Sequence, residues 1–384
     1  MSDYDAWVFM AIRDGAKPYA ANVSEAARIG IQAGMDQEGG GNGCVSMLPA
    51  LVANGTVNSS AISAAFERLF RVRLRLGMLD PPTHIDYNRI LPNVAASEPH
   101  LMVALRAAQE SICLYKNDPP PVAVGPPVVA AAALTPALPL CPPATAGGKP
   151  WKLLLAGAQG ASASALIGNY AESASVGEWG SSILKELQGV LRPPSSRVVY
   201  SAGCDSPECN NTIHFGEAIA EAQTADAVVI ILGLHYSAAG NATQCDHDKP
   251  WITDDACEGE GTDRSRIELP GNQTKLVAAL RAAAPHKPLI GLLIHGGALA
   301  LGSAATDLDA VVDAWYPGMK GAEAIVSVLV GRYNPAGRTA VTWYNSTEQL
   351  PQSIGQSDFY GGDGLTYRYF NTSRAGPVLY PFGQ

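Results

Sequence analysis

Charge is what this sequence has least of. Only 16% of its 384 residues are Asp, Glu, Lys or Arg, and positive charge is the scarcer kind, 26 against 35. The net charge of −9 excludes the clustered basic surface that nucleic acid or an anionic membrane demands. No uninterrupted apolar run reaches the roughly 18 residues of a membrane-spanning helix. A P-loop is absent, and Gly157-Ala158-Gln159-Gly160 is not the G-x-G-x-x-G of a dinucleotide site. The seven cysteines form no C-x-x-C pair and no histidine spacing completes a zinc site, so no metal and no cofactor is expected. Low charge does not mean disorder here. With 47% hydrophobic residues the chain has material for a core, and at roughly 150 residues per domain it fits two or three domains.

Two cysteine pairs, Cys204 with Cys209 and Cys245 with Cys257, each bracket a polar segment and are candidates for short disulfides; the other reading is ordinary small buried residues. Asn22, Asn54, Asn58, Asn210, Asn241, Asn272, Asn345 and Asn371 all stand in N-x-[ST], about half of the asparagines present. Random placement would put only about one in eight there. A secreted, extracellular location is therefore expected. The start, Met1-Ser2-Asp3-Tyr4-Asp5, has no charged segment followed by an apolar one, which points to a true N-terminus further upstream.

Helical periodicity predicts a helix within 22–36, capped by Ser24 and ended near Gly34, and a second from Ser59 to Leu76, with Ile62, Phe66, Leu69, Phe70 and Leu74 on one face. A third is expected from His100 to about Tyr115. Residues 119–150, dense in Pro, Ala and Gly, read as a linker. Beyond it, apolar runs at Lys152–Ala156, Arg197–Ser201, Ala227–Leu232, Pro288–Ile294 and Ala310–Trp315 alternate with alanine-rich helical stretches. That alternation predicts an α/β fold, a mostly parallel sheet with helices on both faces. Arg338–Trp343 is expected as an edge strand.

Ligands of such sheets sit outside the carboxyl ends of the strands. Gly233-Leu234-His235 falls there and leads into a long polar loop ending in Glu258-Gly259-Glu260-Gly261-Thr262-Asp263-Arg264. Two carboxylates between glycines beside an Asp-Arg pair suit general acid–base work, which needs a raised pKa; a solvated acidic loop is the plainer reading. Asp3 and Asp5, near the start, read on their own as part of a frayed end.

Taken in order, these segments resemble glycoside hydrolase family 3, in its β-xylosidase and β-glucosidase branches. Ser2-Asp3-Tyr4-Asp5 resembles the V-S-D-x-x motif on the seventh strand of that family's catalytic barrel. Ala33-Gly34-Met35-Asp36 resembles the A-G-x-D of the eighth, and Arg71–Asp80 the R-x-x-x-R-L-G-M-F-D segment that closes the barrel. Glu260–Arg264 matches E-G-x-D-R, followed by Leu269-Pro270-Gly271-Asn272-Gln273, Trp315-Tyr316-Pro317-Gly318, Gly364–Tyr369 and Tyr380-Pro381-Phe382-Gly383 in family order. The resemblance implies Asp3 as nucleophile and Glu260 as acid/base, with Glu258 the second choice, and Asp263 and Arg264 in substrate binding. It implies a retaining, exo-acting hydrolase of a β-linked oligosaccharide. The segment from Cys204 to Cys209 and the motif Glu258-Gly259-Glu260 favour the xylosidase branch over the glucosidase.

The domains expected are 1–95 as the C-terminal part of a (β/α)8 barrel, 96–150 as an interdomain helix and linker, and 151–384 as an α/β sandwich. A full barrel takes about 250 residues, so barrel strands one to six are missing, as are the G-x-S-Y motif and fibronectin-like domain that usually follow. The expectation is a truncated chain with little or no activity. A carbohydrate-binding or interaction module without catalysis is the reading from another class.

Overall fold

The structure is a computed structural model that describes residues 1–11, 18–41, 43–122, 135–142, 149–168, 180–236, 256–259, 264–350 and 358–384. The chain divides into two compact units, Met1–Ala95 and Ala96–Gln384.

In the first unit three helices, α1 (Val23–Gln32), α2 (Leu48–Ala53) and α3 (Ser59–Arg75), gather around Trp7, Ala26, Ala27, Ile31 and Leu51. Asn22, not Ser24, caps α1: its side chain accepts from the amide of Glu25, one turn into the helix. Gly34 follows the C-cap at φ 95°, a conformation that glycine adopts without strain. The two barrel-type strands expected here are not formed among the described residues. Their segments meet through the Ser2 amide on the Gln37 carbonyl at 2.9 Å and the Gly39 amide on Ser2 Oγ at 3.2 Å. Two lone segments have no neighbours to extend a ladder in either direction.

The second unit is α/β. Its six-stranded sheet comprises β1 (Cys113–Asn117), β2 (Trp151–Ala156), β3 (Ser196–Ser201), β4 (Ala227–Gly233), β7 (Leu289–Ile294) and β8 (Ala310–Asp313). Their order is β1-β8-β7-β4-β2-β3, all parallel except β1. Two further strands, β5 (His235–Tyr236) and β6 (Cys257–Glu258), pair separately at the mouth of the long loop. All seven residues of β4 are buried because both faces of the sheet are covered. Val228, Ile230 and Leu232 meet α6 (Phe215–Thr224) and α7 (Gln273–Ala283) on one side. Ala227, Val229 and Ile231 meet α4 (Glu98–Ser111), α5 (Ile183–Val190) and α8 (Gly321–Leu329) on the other.

The five apolar runs after the linker all become strands. Three readings change. The boundary falls at Ala95, so the described residues of 96–150 belong to the second unit: Leu105, Ala108, Ala137, Leu138 and Leu140 are buried in the sandwich core. The helix expected to reach Tyr115 stops at Ser111, and Cys113–Asn117 becomes the antiparallel edge strand along β8. With that edge filled, Arg338–Trp343 forms no strand. It contributes a single bridge, Trp343 to Tyr380, and the buried Trp343 indole packs on Tyr115 and Tyr380.

Candidate active site

The polar residues of the second unit concentrate where β4, β7 and β8 end. After Ile294 the chain turns through His295-Gly296-Gly297, and this turn meets Glu258 at the end of β6. Both Glu258 oxygens are engaged: Oε1 accepts from the Gly296 amide and Oε2 from the Gly297 amide at 2.6 Å. Two backbone N–H groups aimed at one carboxylate form a small anion cradle. It exists because neither residue has a side chain; a Cβ on Gly297 would stand 2.8 Å from Glu258 Oε2 and 3.0 Å from Arg264 Nη2. Arg264 lies alongside, its Nη2 donating to the Ala298 carbonyl. The Tyr316 ring packs against Gly296, and burial together with the Glu258 charge pushes its hydroxyl far above the usual range, so it stays neutral.

Beneath the cradle is a buried polar network. His295 is fully buried, with Nδ1 2.6 Å from the Gly297 carbonyl and Nε2 3.1 Å from Asp313 Oδ1. Asp313, also fully buried, accepts from the Tyr115 hydroxyl at 2.6 Å and the Trp315 amide at 3.1 Å. Burial pushes the His295 pKa down, but the Asp313 charge and the hydrogen bonds from its ring outweigh that and raise it. Sequence reasoning missed this network. Its signal was a histidine and an aspartate closing two otherwise continuous apolar runs, Leu289–Ile294 and Ala310–Val312.

A second cluster stands at the root of the long loop. His235 Nε2 is 2.5 Å from Glu208 Oε1 and 3.2 Å from Cys257 Sγ. Three potential ligand atoms are close enough to share a metal, but Cys257 is disulfide-bonded and has no thiolate to offer. Its expected partner, Cys245, lies outside the described residues. The Cys204–Cys209 disulfide is present. Gln273, buried and part of the L-P-G-x-Q resemblance, spans the end of β4: it accepts from the Gly233 amide and donates to the Gly233 and Pro207 carbonyls.

Of the residues singled out from sequence, Glu258 and Arg264 therefore come together around Gly297. Glu260 and Asp263 lie outside the described residues. Asp3 belongs to the first unit, where its carboxylate is exposed and Oδ1 accepts from the Tyr4 amide at 2.8 Å.

A doubly wound α/β domain carrying a polar site at the carboxyl edge of its sheet, preceded in the chain by a smaller helical unit, is the class that fold and site define. The Glycosyl hydrolase family 3 C-terminal domain matches residues 134–384, and the chain belongs to that family. It is 31% identical to "Probable beta-D-xylosidase 7" of Arabidopsis thaliana, over 100% of the chain and 43% of the relative. It is 25% identical to "Periplasmic beta-glucosidase" of Salmonella typhimurium, over 95% and 45%. A solved GH3 exo-beta-xylosidase in complex with a xylobiose aziridine activity-based probe superposes with a TM-score of 0.73 at 25% identity, over 96% of the chain and 42% of that structure. The chain thus spans less than half the length of these relatives.

Proposed function

We propose that this chain carries the two catalytic carboxylates of a retaining, exo-acting β-glycosidase that releases terminal β-linked xylose. In the first step Asp3 attacks the anomeric carbon while Glu260 protonates the departing oxygen. In the second, Glu260 takes a proton from water as that water displaces Asp3. Retention requires the two carboxyl groups to approach to about 5–5.5 Å.

One observation carries the assignment within the acidic motif. Each oxygen of Glu258 is held by a backbone amide, so this carboxylate is already engaged in fixing the end of β6 against the Gly296–Gly297 turn. It anchors the loop, and the acid/base role passes to Glu260. Arg264, tied to the Ala298 carbonyl, stands beside this anchor as a substrate-side cation. The chemistry calls for no metal or cofactor. Export to an extracellular oxidising compartment is supported by the Cys204–Cys209 disulfide and by exposed sequons such as Asn54 and Asn210.

The first unit has 95 residues against about 250 in a closed (β/α)8 barrel, so turnover by this chain should be slow or absent. A covalent trap suits that case. Incubation with a xylo-configured aziridine probe should add one probe mass on Asp3, and Asp3→Asn should abolish it. Labelling only by a gluco-configured probe would transfer the reading to β-glucosidase. Xylo-oligosaccharide binding with no labelling by either probe would favour a non-catalytic module.

A further inference from the structure

The Gly296–Gly297 turn has no side chains of its own to hold its shape, and successive glycines are the freest backbone a chain can contain. Gly296 is exposed and Gly297 half-buried, yet both amides point at one carboxylate. What fixes the turn lies underneath. The Gly297 carbonyl receives Nδ1 of His295 at 2.6 Å, and the other ring nitrogen faces Asp313 at 3.1 Å.

We propose that His295 and Asp313 are positioning residues for the acid/base loop. Their buried pair orients the Gly296–Gly297 turn, the turn holds Glu258, and Glu258 is the anchor two residues before the proposed acid/base Glu260. The last of these links rests on the glycosidase reading; the first two do not.

Chemistry supports the chain of contacts. Nδ1 of His295 bonds the Gly297 carbonyl, and Nε2 lies 3.1 Å from Asp313 Oδ1, within ion-pair reach though not aligned as a hydrogen bond; a proton on Nε2 would place an imidazolium against that carboxylate. The charges then alternate across the site, Glu258 negative, His295 positive, Asp313 negative, so the buried imidazolium also supports the carboxylate above it. The remaining ionisable groups leave that balance intact. Tyr115 and Cys113 on β1 are kept neutral by burial and by the Asp313 charge, and Tyr316 by burial and Glu258. Arg264, half-buried, stands beside Gly297. A buried ion pair rarely adds much net stability over an apolar replacement; fixing a glycine turn gives this one a use.

Nitrogen-detected NMR of the whole chain tests the first links without any catalysis. At neutral pH both His295 ring nitrogens should carry protons, and the Gly296 and Gly297 amides should resonate far downfield, as donors to a carboxylate do. On raising the pH the Gly297 amide should shift with the same midpoint as the His295 ring. His295→Gln and Asp313→Asn should each move both glycine amides upfield while the rest of the spectrum keeps its dispersion. The last link is read from probe labelling of Asp3. His295→Gln should slow the inactivation step on the order of 10²-fold, the cost of an ångström-scale misplacement, with the probe's binding constant unchanged. A singly protonated His295 at neutral pH, or a Gly297 amide indifferent to its titration, overturns the proposal even if neither variant folds. Absence of labelling in the unaltered chain would count against the glycosidase reading and leave the turn's mechanism standing.

Discussion

Gly297 donates its amide to Oε2 of Glu258 across 2.6 Å, and a methyl group on its Cα would stand 2.8 Å from that same oxygen. Gly297→Ala must therefore drive the carboxylate off the cradle. Leaving buried hydrogen-bonding groups unpaired costs about 1–3 kcal/mol, and the urea midpoint should fall accordingly. Gly296→Ala should be milder, since its nearest neighbours would be 3.2–3.4 Å away. Gly216→Ala, in α6 with nothing within 4 Å, should instead stabilise by roughly 0.4–1 kcal/mol. Equal losses at Gly297 and Gly296 would remove the steric basis of the cradle.

The first unit turns on a comparable fit between Trp7 and Gly30. The indole is 2% exposed and donates to the Ala26 carbonyl at 2.7 Å, and a Cβ on Gly30 would sit 2.1 Å from its Nε1. Glycine to alanine inside a helix normally gains about 0.5–1 kcal/mol. Here overpacking of about 1–3 kcal/mol should reverse the sign. Trp7 is the one tryptophan before Trp151, so its emission can be isolated by subtracting the Trp7→Phe spectrum. Gly30→Ala should shift that emission to the red as the ring moves toward water. An unshifted spectrum with raised stability would show that the helix accommodates the methyl.

Strands buried on both faces are written as continuous apolar runs, so β2, β4, β7 and β8 were legible from sequence alone; β3, an edge strand with Arg197 exposed, was legible from Val198–Tyr200 and its place in the alternation. Cys113–Asn117 was not. It follows an amphipathic helix almost without interruption, and only its hydrogen bonds to β8 distinguish a strand from another helical turn. Arg338–Trp343 shows the converse: Trp343 packs while Ala340 and Val341 stay exposed, and the sheet edge beside β8 is already taken by β1. Glu258 and Arg264 were legible as motif residues, though spacing could not tell an anchored carboxylate from a proton-shuttling one. That distinction depends on Gly296 and Gly297, nearly 40 residues downstream, facing Glu258. His295 follows β7 and Asp313 ends β8, and nothing along the chain announces that they meet.

Acid should unfold the second unit partly through Glu208. Burial alone would raise its carboxyl pKa, but hydrogen bonds from His235 and Ser206 and the His235 charge prevail and hold it below the usual range. A carboxylate with a depressed native pKa contributes stability that is complete above its unfolded value, about 4.3, and is lost as pH falls through the native value. The chain should therefore exceed Glu208→Gln in urea midpoint at pH 7. The gap should narrow as the pH falls below that unfolded value and close as it passes through the lowered native one. A gap that persisted unchanged to pH 3 would mean that the pair stabilises by packing, not by charge.

If the chain is exported, its sequons should not be used equally, because a glycan is attached through the side-chain nitrogen. Asn22, Asn54, Asn58 and Asn371 are exposed and engage only their carbonyl oxygens, as acceptors from the amides of Glu25, Thr56, Ser60 and Ser373. Their amide nitrogens are left for the sugar. Asn272 is half-buried, and its Nδ2 donates to the Cys209 carbonyl at 2.7 Å, beside the Cys204–Cys209 disulfide. A glycan there would have to fit on a half-buried nitrogen already held against the Cys209 carbonyl, so the neighbouring loop would have to give way. Enzymatic deglycosylation in heavy-oxygen water, read by peptide mass spectrometry on protein from a secreting eukaryotic host, should mark Asn22, Asn54, Asn58 and Asn371 and leave Asn272 unmarked. Modification occurs while the chain is still folding, so high occupancy at Asn272 would mean that the sugar arrives before the loop around Cys209 closes.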